Sequence, residues 1–192
     1  MLGLKLATDP QWINIAEKNI EEILVDHAYC EQKAASTGIS LILQFPERDK
    51  LVEVVSPIVA EEWAHFRMVL KELNNRGFGL GRKRTDEYVT ELFKLERKGG
   101  KIERQLMDKL LVSALIEARS CERFKILSEE IPDDELKVFY RELMISEAGH
   151  YRTFVDLAKE YMPAEIVKER LDEMLEGEAE IIQRLSVKAR IH

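Results

Sequence analysis

The sequence predicts an all-α fold: a four-helix bundle with a long crossover between its second and third helices and an extra C-terminal helix. Three observations lead there. Hydrophobic residues make up 45% and charged residues 34%, with only 9 Gly and 5 Pro, a composition that suits long helices better than a turn-rich sheet. Apolar residues recur at helical spacing through several long segments. Finally, Glu-x-x-His occurs twice, as Glu62 with His65 and Glu147 with His150, each time about thirty residues after another glutamate on an apolar stripe, Glu31 or Glu117.

The first bundle helix is expected over residues 10–45. Asp9-Pro10 suits a helix start, and the stripe through Leu24, Ala28, Glu31, Ala35, Gly38, Leu41 and Phe45 lies on one face. A bend is expected near Thr37-Gly38, and Pro46 ends the helix. A short helix is expected over residues 47–55, after which Ser56-Pro57 opens or kinks the next, which runs to Asn74 and carries Ile58, Glu62, His65, Val69 and Leu73 on its apolar face. The crossover, residues 74–104, opens with a loop rich in Gly, Asn and Arg, includes a short helix over residues 85–96, and reaches Gly99-Gly100. The third bundle helix is expected over residues 101–130, with Leu106, Leu110, Ser113, Glu117, Cys121, Phe124 and Leu127 in its stripe. Pro132-Asp133-Asp134 starts the fourth, with Leu136, Phe139, Leu143, Glu147, His150, Phe154 and Leu157. Pro163 ends it, and residues 164–187 form the extra helix outside a bundle that occupies about residues 10–162 of a single 192-residue domain. Two helices, a crossover and two more helices is the order of a ferritin-like fold.

Composition also excludes several classes. The strongest apolar run, residues 39–45, is broken by Ser40 and Gln44 and falls far short of the roughly 20 residues a membrane helix needs. The first ten residues lack the pattern of a secretory signal, so the expected compartment is the cytoplasm, with no membrane partner. Two isolated cysteines, Cys30 and Cys121, form no Cys-x-x-Cys pair, which argues against a zinc knuckle or rubredoxin-type iron site. The net charge of −7 is uneven. Residues 74–104 hold nine Lys or Arg against five Asp or Glu, a local +4 that leaves −11 for the remainder.

Four carboxylates and two imidazoles on inward faces point to metal. A buried carboxylate without compensation is costly, and a metal relieves that cost. The competing reading, four carboxylates at helix borders paired with Lys and Arg, requires neither matched intervals nor two histidines. Oxygen and imidazole donors suit iron or manganese rather than a thiolate-rich zinc site. The expected arrangement is dinuclear: Glu62 and Glu147 bridge, Glu31 and His65 are terminal on one ion, and Glu117 and His150 are terminal on the other.

Among the remaining residues, His27, one turn before Glu31, reads as a core histidine or as a support for that glutamate. Tyr140 and Tyr151 read as packing, Cys121 as a small core residue, and His192 as disordered. Arg82, Lys83 and Arg84, with Arg97, Lys98, Lys101 and Arg104, form the candidate nucleic-acid surface, with Phe78 available to stack on a base; a solvated crossover is the competing reading.

Four runs carry a family resemblance: Asp26-His27-Ala28-Tyr29-Cys30-Glu31-Gln32-Lys33-Ala34-Ala35, Glu61-Glu62-Trp63-Ala64-His65-Phe66, Ile116-Glu117-Ala118-Arg119-Ser120-Cys121-Glu122-Arg123-Phe124 and Ser146-Glu147-Ala148-Gly149-His150-Tyr151. Together they resemble the bacterial tRNA hydroxylases that act on 2-methylthio-N6-isopentenyladenosine. The resemblance spans nearly the whole chain. It implies a di-iron monooxygenase that hydroxylates the isopentenyl group of the modified adenosine next to the anticodon, with two iron ions held by Glu31, Glu62, His65, Glu117, Glu147 and His150. O2 is then the co-substrate. Electrons must come from a separate reductase, since the chain carries no glycine motif for a flavin or nicotinamide. The basic residues match no family motif, and their expected role in tRNA binding rests on charge. An iron-handling or peroxide-scavenging protein is the alternative, and a monomer is favoured over an assembly.

Overall fold

The computed structural model describes residues 1–82 and 85–192, and the described residues contain helices, turns and loops but no strands. Seven α-helices follow in order: α1 (Trp12–Ala16), α2 (Ile20–Gln44), α3 (Asp49–Asn75), α4 (Glu87–Leu92), α5 (Ile102–Glu130), α6 (Asp134–Tyr161) and α7 (Ala164–Arg184), with a 3-10 turn at Phe93–Leu95 after α4. The chain divides into two compact units. One comprises residues 14–85 and 188–191, and the other residues 1–13, 86–187 and 192.

The smaller unit is built on α2 packed along α3. Their connection, residues 45–48, is short, which makes them antiparallel neighbours. The expected helix over residues 10–45 is interrupted instead of continuous: residues 17–19 separate α1 from α2. Asn19 is the cause, because its side-chain amide donates to the Ile15 carbonyl at 2.7 Å and its backbone adopts φ −135° and ψ 47°, outside the helical region. Helix α2 runs unbroken through Gly38. A Cβ there would meet Val59 Cγ2 at 2.5 Å, so glycine serves close approach of α3. Pro57 likewise falls inside an unbroken α3, where separate helices were expected. Ser56 Oγ donates to the Val52 carbonyl at 2.6 Å, and Leu51, Val55, Ile58, Phe66, Val69 and Leu73 bury one continuous stripe through the proline. That packing offsets a proline cost of about 3 kcal/mol.

In the larger unit α5 packs along α6, again across a short connection, and α7 lies against α4, α5 and α6. The Asp133 carboxylate caps α6 by accepting from Leu136 N–H at 3.0 Å, and Asp86 caps α4 through Val89 N–H at 3.0 Å. Helix α5 is the most deeply buried element, with the Leu106 to Leu127 stripe in the core. A buried polar network fixes what packs on it. The Arg119 guanidinium donates to Glu178 of α7, to Glu122, to Thr8 Oγ1 and to the Leu6 carbonyl. Tyr88 of α4 donates to the same Glu178 at 3.1 Å, and burial together with the Glu178 charge pushes its phenol well above the ordinary range. The N-terminal segment, α4 and α7 thus share one set of charge-assisted hydrogen bonds.

His192 is not a loose end. Its Nε2 lies 2.8 Å from Ser120 Oγ, its Nδ1 3.5 Å from Asp86 Oδ2, and its ring stacks on Tyr88 at 5.2 Å. Expected disorder is thus replaced by an anchored ring, because three partners far away in sequence converge on it.

Candidate metal centre

Each unit gathers one set of Glu, Glu and His. In the smaller unit, Glu62 and His65 stand one turn apart on α3, so they share a face, and Glu31 faces them from α2. All three are buried. His65 Nδ1 lies 3.5 Å from Glu31 Oε2 and 3.9 Å from Glu62 Oε2. One ligand atom from each residue falls within 4.8 Å of the others. The second carboxylate oxygen of Glu31, Oε1, is 2.7 Å from Nε2 of the fully buried His27.

In the larger unit the same pattern is built by α5 and α6. Glu147 and His150 are one turn apart on α6, Glu117 is on α5, and all three are buried. His150 Nδ1 lies 3.5 Å from Glu147 Oε2, and ligand atoms of the three again fall within 4.8 Å of one another.

These distances suit a shared ion. Donors bonded to one cation at about 2.1 Å lie roughly 3 to 4 Å apart, whereas a direct hydrogen bond would close to about 3 Å. The donors are carboxylate oxygens and imidazole nitrogens without thiolate, a hard-to-borderline set suited to iron or manganese. Cys121 sits one turn from Glu117, but its thiol donates to the Met144 carbonyl at 3.3 Å. Burial, reinforced by the Glu147 charge, pushes it up to about 12, so it stays protonated. It is the small core residue the sequence suggested. Tyr140 is fully buried and packs between Phe124 and Phe139, with ring centroids at 5.3 and 5.2 Å.

The candidate nucleic-acid residues fare differently. Lys83 and Arg84 lie outside the described residues. Arg82 is exposed, next to Gly81, whose carbonyl accepts from the Tyr29 hydroxyl at 3.0 Å. Lys98, Lys101 and Arg104 are exposed around the start of α5, and Gly99 and Gly100 between them take φ values of +77° and +85°. Arg97, exposed as they are, differs in being paired. Its guanidinium is engaged by the buried Asp108, a pairing of residues eleven apart that no local pattern announced. His27 was recognisable only as one of two readings. The i to i+4 spacing allows its contact with Glu31, and the structure makes that contact in the buried interior.

Comparison with known proteins places these observations. Residues 2–192 match the model of the family described as tRNA-(MS[2]IO[6]A)-hydroxylase (MiaE). The chain is 36% identical over 185 residues to the tRNA 2-(methylsulfanyl)-N(6)-isopentenyladenosine(37) hydroxylase of Pseudomonas putida, covering 96% of this chain and 89% of that protein. It is 27% identical over 238 aligned positions to the protein of the same description from Salmonella typhimurium, covering 98% and 87%. A solved structure, described as Protein 43 with aldehyde deformylating oxygenase activity from Synechococcus, superposes with a TM-score of 0.93 at 33% identity, covering 98% of this chain and 94% of that one. The fold class is all-α and ferritin-like, as the sequence predicted. From end to end, the chain belongs to the tRNA-(MS[2]IO[6]A)-hydroxylase (MiaE) family.

Proposed function

We propose that this protein is an O2-dependent di-iron monooxygenase that hydroxylates the isopentenyl group of 2-methylthio-N6-isopentenyladenosine next to the anticodon of tRNA. The observation that carries the reading is the doubled set, Glu31, Glu62 and His65 in one helix pair and Glu117, Glu147 and His150 in the other. Each is buried and drawn to ligand spacing, in a chain of this family. The six residues would hold two iron ions within one ferritin-like domain. When bound, the metal would supply activation of O2 for insertion into an allylic C–H bond, chemistry that no side chain provides.

The chain's own residues supply the rest. Four carboxylates give four negative charges to balance the cations, and the two Glu-x-x-His turns fix three-residue spacing on rigid helices instead of loops. The helix stripes around them, including Leu24, Ala28, Val69, Leu110, Leu143 and Phe154, exclude water from the donors. Electrons come from an external reductase, since neither cysteine belongs to a second redox motif. Arg82, Lys83, Arg84, Lys98, Lys101 and Arg104 would contact the tRNA backbone, so that the base and its prenyl tail reach the metals without duplex sequence being read. A cytoplasmic monomer is the setting we favour. Among the described residues no helix is long and apolar enough to cross a membrane.

The test is nucleoside mass spectrometry of tRNA carrying the prenylated adenosine, after incubation with iron-loaded protein, O2 and a chemical reductant. One added oxygen on that nucleoside, lost in Glu117→Ala, supports both reaction and site. Two bound irons with no added oxygen would move the assignment to an iron-handling or peroxide-scavenging role. Release of the shortened hydrocarbon from a long-chain aldehyde would move it instead to the activity in the Synechococcus protein's description.

A further inference from the structure

We propose that His27 is a positioning residue that orients Glu31 and biases it toward one-oxygen coordination of its metal ion. This rests on the reading of Glu31, Glu62 and His65 as metal ligands. His27 is fully buried, one turn before Glu31 on α2, and its Nε2 lies 2.7 Å from Glu31 Oε1. A glutamate that ligates a metal is ionised and only accepts, so on this reading Nε2–H donates. The other oxygen of Glu31, Oε2, is the one that lies 3.5 Å from His65 Nδ1. The two oxygens therefore have separate tasks: Oε1 accepts from His27, and Oε2 faces the neighbouring donors.

Two consequences follow from the chemistry. A buried carboxylate held by one charge-assisted hydrogen bond loses its freedom to rotate about its last torsion, so less order must be imposed when the ion binds. Donation to Oε1 also occupies one of its lone pairs and weakens it as a metal donor, which disfavours the two-oxygen chelation that an unrestrained glutamate can adopt. The matching position in the other set, four residues before Glu117, is Ser113, whose hydroxyl cannot span the same distance along the helix as an imidazole. The two ions would then differ in environment, the first being bound by a carboxylate fixed by histidine.

Co(II) titration of the metal-free protein tests this, with stoichiometry from equilibrium dialysis and the ligand field from visible d–d absorption. The variants are His27→Gln, whose amide N–H reaches toward Oε1, and His27→Asn, whose amide is one carbon shorter. Circular dichroism of each metal-free variant verifies the helices. For His27→Asn, one of the two Co(II) steps should weaken by about 10- to 100-fold, the range seen when a partner hydrogen-bonded to a metal ligand is removed, with an altered d–d band for that step. For His27→Gln, affinity and band should return to near the parental values. If the Asn variant keeps both affinities and both bands, or if Gln and Asn weaken binding equally, the positioning role is wrong. Parental protein whose Co(II) binding is untouched by Glu31→Ala would instead remove the metal-ligand reading on which this rests.

Discussion

Arg97 grips Asp108 with a two-pronged contact: Nη2 donates to Oδ1 at 2.6 Å and Nε to Oδ2 at 3.0 Å, while the Arg97 backbone N–H adds a bond to Oδ2 at 2.8 Å. Arg170 of α7 approaches the same carboxylate with Nε and Nη2, each at 3.0 Å, and also donates to the Leu95 carbonyl at 2.6 Å. One buried carboxylate therefore ties the end of the crossover to α5 and α7. The basic residues beyond it, Lys98, Lys101 and Arg104, are displayed from an anchored base.

Asp108→Asn should destabilise the protein by about 3 kcal/mol in urea unfolding, because two guanidinium groups lose a fully buried counter-charge. The effect should depend on pH. Burial alone would push the Asp108 carboxyl up, but hydrogen bonds from Arg97 and Arg170 outweigh it and hold it below its ordinary 3.8. Its contribution is therefore complete above that value and lost as pH falls through the lower folded value. The gap between the parental protein and Asp108→Asn should stay constant from pH 7 to 5 and narrow only below about pH 4. A gap that widened on acidification would contradict this assignment.

Replacing Lys98, Lys101 and Arg104 together by Gln should weaken tRNA binding and flatten its salt dependence by about two to three units in a plot of log K against log salt, one for each phosphate contact removed. Iron content should not change. Arg97→Gln should behave in the opposite way, lowering thermal stability while leaving the salt slope near that of the parental protein, since its charge is engaged by Asp108. Filter binding at several salt concentrations, with unfolding curves in parallel, separates the two.

Gly38→Ala should destabilise by about 1 to 3 kcal/mol despite alanine's better helix propensity, because the new methyl meets a stiff valine at overlapping distance. Val59→Ala in the same chain should recover most of the loss. If the single variant were stabilised instead, α2 and α3 would not be as close as their packing indicates.

Cys121 should resist alkylation in the folded protein. With its thiol pushed up to about 12, the thiolate fraction at pH 8 is on the order of 10−4, against roughly a quarter for an unperturbed cysteine near 8.5. Peptide mass spectrometry after iodoacetamide treatment should show labelling at least a thousandfold slower than in urea. Rapid native labelling would place the thiol in a more exposed setting.

The sequence determined a great deal unaided: the helices, their order, the inward glutamates and histidines, and the family to which the chain belongs. It could do so because those features are local or periodic. A stripe at helical spacing has one buried face, and Glu-x-x-His places two donors on it wherever the helix packs. Helix boundaries followed less well, since Asn19 and Pro57 were decided by competition between a local preference and the packing around it. What only the tertiary structure decided were partnerships between residues far apart. Arg97 with Asp108 and Arg170, Arg119 with Glu178, and His192 with Ser120 and Tyr88 are pairings that no spacing encodes. A side chain's charge is written in the sequence. Whether water, phosphate or a buried carboxylate meets it depends on which surfaces fold together, and the cost of leaving a charge without a partner in the core selects among them.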